Sequence, residues 1–149
     1  TADDTIEFAI PSNDPNCTAS GVCTITLTNG ELAINSASSA GNLMITNLTG
    51  ASNLLISGNN STRVFFVDTG ANLTIIGITI TNGNGTGTIV TTGGGGIYNR
   101  GVLALMNSII GSNTVPNGAG GGVFNSGGTL TLTDSTVINN IVQSSFGGG

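Results

Sequence analysis

Apolar residues fall in short alternating runs along most of the chain. Thr24-Ile25-Thr26-Leu27, Leu32-Ala33-Ile34, Leu43-Met44-Ile45, Leu54-Leu55-Ile56, Val64-Phe65-Phe66-Val67, Leu73-Thr74-Ile75 and Ile78-Thr79-Ile80 follow one another at intervals of about ten residues. Gly, Asn or Ser bounds most of them. Alternation of this kind is the period of a β-strand, whose successive side chains point to opposite faces. No helix is expected, because the runs are too short and are dominated by Thr, Ile, Val and Gly.

A longer period lies over the short one. Gly94-Gly95-Gly96-Ile97-Tyr98-Asn99 returns as Gly120-Gly121-Gly122-Val123-Phe124-Asn125, 26 positions later. Leu103-Ala104-Leu105-Met106-Asn107-Ser108 returns as Leu130-Thr131-Leu132-Thr133-Asp134-Ser135 after 27, and Leu73-Thr74-Ile75 precedes the first of these by 30. The glycine run starts once more at Gly147-Gly148-Gly149. Fixed self-similarity at such a spacing marks a solenoid. An antiparallel sandwich has no reason to recur in this way, whereas a coil of three short strands does.

In a parallel coil each strand pairs with its equivalent one turn away, so residues at one repeat offset stack. Ile97 over Val123, Leu103 over Leu130 and Leu105 over Leu132 are the expected core ladders. The glycine column suits corners that need positive φ or close backbone approach. A phosphate-cradling reading of it fails for want of a following helix and a Lys. Asn99 over Asn125 and Asn113 over Asn140 are expected amide ladders. Tyr98 over Phe124, with Phe65 one coil below, is an expected aromatic stack, read as core or coil-to-coil packing. The longer spacing before Leu103 predicts a protruding loop over 83–92.

These repeats resemble those of large bacterial surface proteins: the polymorphic outer-membrane, autotransporter-like class and the secreted proteins that begin with a so-called CSLREA segment. The opening is similar too, with Asp4-Thr5-Ile6-Glu7-Phe8, a Cys-bounded loop and Thr24-Ile25-Thr26-Leu27-Thr28-Asn29-Gly30-Glu31-Leu32. The resemblance implies an all-β, right-handed parallel β-helix of three short strands per coil. Residues 1–23 are then an N-terminal capping segment and 24–149 the β-helix, ending in mid-repeat. That ending implies an unpaired parallel edge, covered by further coils of a longer parent or by copies of the same chain.

Composition narrows the role. The chain carries 25 Gly among 149 residues, 6% charged residues and no His, and its net charge is −5. An acidic chain without a basic stripe argues against nucleic acid, and no apolar run approaches a membrane span of about 20 residues. Cys17 and Cys23 flank a short polar loop and are read as a disulfide, which places the protein in an oxidising, extracellular or cell-surface setting.

Candidate chemistry is sparse. The acids are Asp3, Asp4, Glu7, Asp14, Glu31, Asp68 and Asp134, and the repeat brings no two of them together. Asp3, Asp4 and Glu7 are read as a solvated acidic start rather than a calcium site, so neither a cofactor nor a metal is expected. Asp68 is expected to reach Arg100 in a surface ion pair. General-base chemistry has few candidates, which argues against an enzyme; on this fold an enzyme would be a polysaccharide lyase or a glycoside hydrolase. The leading expectation is therefore a non-enzymatic structural or adhesive module of a bacterial surface or secreted protein, assembling end to end. The alternative is a carbohydrate-binding or carbohydrate-active β-helix. Its candidate contacts are Tyr98, Phe124, Asp134 and Arg100, and its partners would be surface glycans.

Overall fold

A computed structural model describes residues 3–11, 13–36, 41–48, 53–90 and 92–143. The chain winds as a parallel β-helix, and three stacks of strands form its walls. The first wall is a five-stranded sheet of β1 (Asp4–Phe8), β4 (Asn42–Asn47), β7 (Asn72–Ile76), β10 (Val102–Met106) and β14 (Thr129–Thr133), in that spatial order. The second stacks β2 (Cys23–Thr26), β5 (Leu54–Ser57), β8 (Thr79–Thr81), β11 (Ile109–Gly111) and β15 (Thr136–Ile138). The third stacks β3 (Leu32–Ile34), β6 (Phe65–Val67), β9 (Ile97–Asn99) and β13 (Val123–Asn125). A short fourth ladder joins β12 (Thr114–Val115) to β16 (Ile141–Val142). The chain visits the three walls in turn, and every pairing between these strands is parallel.

The register is the one the repeats imply. Leu103 lies over Leu130, Leu105 over Leu132 and Ile97 over Val123. The ladders run further than the obvious repeats. Ile6, Ile45, Ile75, Leu105 and Leu132 form one column. Ile25, Ile56, Ile80, Ile110 and Val137 form a second. Leu32, Phe65, Ile97 and Val123 form a third. Together they fill the bore. Each fully buried aliphatic residue stabilises the stack by roughly 1.5–3 kcal/mol before ordering entropy is subtracted.

The 26–27-residue coil holds only at the C-terminal end. Leu43, Leu73 and Leu103 are spaced by 30 residues, and Asp4 reaches Leu43 across 39. The extra residues form corners and loops outside the ladders. Residues 18–22 are one such excursion, closed by the Cys17–Cys23 disulfide and an antiparallel bridge between the same two residues. The disulfide indicates a non-reducing environment. Among the described residues no helix is long and apolar enough to cross a membrane. The third glycine run, Gly147-Gly148-Gly149, lies outside the described residues.

Equivalent residues at positive φ mark the corners. Gly94 and Gly120 have φ of 59° and 65°, and a β-carbon on either would run into the backbone carbonyl three residues on. A second set turns the chain from the first wall to the second: Gly77, Asn107 and Asp134, with φ of 68°, 48° and 48°. Asn and Asp tolerate this left-handed region better than other non-glycine residues. We expect Asn107→Val, at an exposed corner, to cost about 1–2 kcal/mol, and Asn107→Gly to be neutral or stabilising. Equal loss in both variants under chemical denaturation would refute the corner role.

Candidate functional site

The chemistry of the molecule gathers on the outer face of the third wall. Residues in a strand alternate between faces, so Phe65, Ile97 and Val123 face the bore while Phe66, Tyr98 and Phe124 point away from it. Phe66, not Phe65, therefore lies beneath Tyr98 in the register, and Phe65 belongs to the core column. A single place along the strand decides the face. The Phe66 and Tyr98 ring centroids are 5.8 Å apart, and Tyr98 meets Phe124 edge-on at 5.1 Å. Although outside the bore, Phe66 and Tyr98 are 0% and 5% exposed.

The segment formed by residues 83–90 and 92–96 lies beside this face, with Gly93 against Phe124. It does not protrude freely as its length predicts. It folds back and is tied down by Arg63, the residue just before Val64 and β6. Arg63 is fully buried. Its Nε donates to the carbonyls of Gly93 and Gly94 at 3.0 and 3.2 Å. Nη2 donates to Gly85, Val90 and Gly93 at 3.0, 2.9 and 2.8 Å. Nη1 pairs with Glu31 Oε2 at 2.5 Å. The other Glu31 oxygen accepts the Thr88 backbone N–H at 2.9 Å and its hydroxyl at 3.2 Å. One guanidinium and one carboxylate thus bind the segment to the first two coils. Burial pushes the Arg63 pKa down, and the Glu31 charge opposes that fall. Such a pair survives desolvation only when its hydrogen-bonding capacity is filled, and the ring of carbonyls does this.

Both cations of the chain lie on Tyr98. The Arg63 guanidinium carbon is 5.0 Å from its ring centroid and that of Arg100 is 5.4 Å away. Arg100 also lies 5.9 Å from the centre of Phe66. The expected Asp68–Arg100 ion pair does not form. The Asp68 carboxylate instead accepts the backbone N–H of Thr69 at 2.8 Å, within its own turn. Among the described residues the ion pair is Arg63–Glu31.

The sequence candidates are thus partly gathered. Tyr98, Phe124 and Arg100 come together. Asp134 does not join them: it sits at the opposite end of the first wall, a five-residue strand or roughly 17 Å away. The asparagines are occupied within the fold. Asn99 Nδ2 donates to Asn125 Oδ1 at 2.7 Å and Asn113 Nδ2 to Asn140 Oδ1 at 2.9 Å, while Asn113 Oδ1 accepts the Gly83 N–H. Among the described residues no cluster of three or more His, Cys, Asp or Glu is placed to hold a metal. At the acidic start, Asp3 Oδ1 accepts the Asn42 backbone N–H at 2.9 Å, which holds its carboxyl below the ordinary value of 3.8.

The Arg63–Glu31 pair was not found from the sequence. The only signal is that Glu31 precedes β3 as Val64 precedes β6, across 33 residues, outside the 26–27-residue period. No known protein family, curated protein or solved structure matches the chain.

Glu31→Gln is expected to cost roughly 3–5 kcal/mol, since it strands a buried guanidinium, and to raise amide exchange over residues 85–90. Unchanged exchange there would contradict the pinning role. The depressed Asp3 pKa means that its stabilising effect is present above pH 3.8 and is lost as pH falls through the folded-state value. An NMR titration should show a midpoint below 3.8 that rises toward the ordinary value in a denatured control.

Proposed function

We propose that the chain is a non-enzymatic, extracytoplasmic β-helix module with a structural or adhesive role in a bacterial surface or secreted protein, and that it extends by joining coil end to coil end. The observation that supports this is the exposure along the bore ladders. In the first column Ile6 is 46% exposed, Ile45, Ile75 and Leu105 are buried, and Leu132 is 44% exposed. In the second, Val137 is 41% exposed at the same end as Leu132, while Ile56, Ile80 and Ile110 are buried. At the N-terminal end the bore opens into an apolar cavity of about 310 Å³ that includes Ile6, Phe8, Ile25, Leu32 and Ile34.

Among the described residues, each terminal coil therefore presents two things at once: the apolar ends of the ladders and the edge strands of the three walls. A further coil in the same register satisfies both, and the three columns align end to end. Stacked in this way the contact is head-to-tail, and such contacts propagate rather than close. The disulfide supports the extracytoplasmic part of the reading, as does the resemblance to bacterial surface repeats.

Analytical ultracentrifugation of the 149-residue chain, with electron microscopy, tests the stacking. Concentration-dependent linear assembly is expected, and it should be lost in Leu132→Lys/Val137→Lys, which places charge on the exposed edge. A monomer that persists at high concentration, or assembly unchanged by the double substitution, would refute it.

A further inference from the structure

Arg63 is fully spent on carbonyls and a carboxylate, but Arg100 is not. Its guanidinium lies over the faces of Phe66 and Tyr98 and, among the described residues, donates no hydrogen bond and has no carboxylate within ion-pairing distance. The nearest equivalent acid one coil back, Asp68, is turned into its own backbone. The Tyr98 ring is buried, and its hydroxyl makes no hydrogen bond among the described residues. A guanidinium held by two aromatic faces keeps its planar donors directed outward and loses little freedom when an acceptor arrives.

We propose that Arg100 and the Tyr98 hydroxyl form a binding site for the carboxylate of an acidic saccharide, a surface distinct from the coil ends. The guanidinium supplies paired N–H donors to the two carboxylate oxygens, and the phenol adds one more donor. The rim comes from the next coil. Ser126 N donates to Asn99 O and Thr129 N to Gly101 O, at 2.8 Å each, so those residues flank the Arg100 corner. With half-buried Phe124, they offer two hydroxyls and an apolar ring edge. That set matches the hydroxyls and ring carbons of a sugar. It lacks the cations that an acidic peptide with several carboxylates would use.

The charge balance sets the ligand further. The chain carries −5 overall and a single cation at this site. One isolated carboxylate is matched, whereas a polyanion meets repulsion that salt only partly screens. Residues 92–96 lie beside the site: Gly93 packs against Phe124, with room for a β-carbon only at 3.2 Å from its Cδ1. Arg63, through that segment and the other side of Tyr98, is a positioning residue for the site.

The test is an NMR titration of the folded chain with a disaccharide ending in one glucuronate, beside its methyl ester and a C-terminally amidated dipeptide whose glutamate side chain is its only carboxylate. The expected result is saturable shifts at Arg100 Hε and the Tyr98 ring with the free acid, weakened at least about tenfold in Arg100→Gln. Tyr98→Phe should weaken binding less, and Arg100→Lys should fall between wild type and Arg100→Gln because the charge survives without the planar fork. Raising the salt concentration on wild-type protein should weaken binding, a check that needs no variant to fold. No saturable shift, equal binding of the ester, equal binding of the dipeptide, or undiminished binding by Arg100→Gln would each overturn the proposal.

Discussion

Parallel pairing at about 4.8 Å between successive coils is the constraint on which the rest of this molecule depends. Once a coil is placed, the backbone of the next is fixed in register, and every side chain acquires a neighbour directly above and below. Apolar columns then fill the bore. Asparagine columns satisfy one another, as Asn99 does with Asn125 and Asn113 with Asn140. Corner columns must share a backbone conformation, so Gly77, Asn107 and Asp134 all adopt positive φ. The same rule places Asp134 in a structural role at that corner.

The outer face of the third wall shows how this regularity is broken usefully. The chain inserts an extra segment into one coil, and its residues 83–90 and 92–96 lie beside the aromatic column. A loop carries backbone polar groups that must be satisfied wherever it is buried. Arg63 satisfies four of its carbonyls, and Glu31 satisfies backbone N–H groups and a hydroxyl of Thr88 and Ile89. The pair has fully buried side chains, which would be costly in isolation. Here each charge also replaces the water that the loop backbone would otherwise need. The consequence reaches the surface, because the tied segment and Arg63 fix Tyr98, and Tyr98 with Phe66 fixes Arg100.

The two coil ends and the Arg100 corner are therefore different kinds of surface. The ends are generic: apolar ladders and open strand edges that any coil in register can continue. The corner is particular, since one planar cation rests on two aromatic rings beside uncharged side chains. Under the proposed end-to-end extension the walls stay exposed along the whole stack, so the proposed wall site would recur with every copy. Recurrence of this sort raises apparent affinity without strengthening a single contact.

The repeat and the alternation determined much of this by themselves. A spacing of 27 between Leu103 and Leu130 and of 26 between Ile97 and Val123 admits one economical arrangement, because stacked equivalents share both face and neighbours. The asparagine ladders and glycine corners follow from the same spacing. Where the spacing drifted, legibility ended: 30, 33 and 39 residues separate equivalents in the earlier coils. Phe65 and Phe66 were exchanged because adjacent strand residues face opposite ways and only the register says which is which. The contact of Glu31 with Arg63 belongs to no repeat, since it joins a loop to two coils. The sequence alone thus determined the coil, whose information is periodic and local to each strand. Only the tertiary structure decided the aromatic face, the buried ion pair and the freedom of Arg100, because those depend on where a non-repeating segment comes to rest.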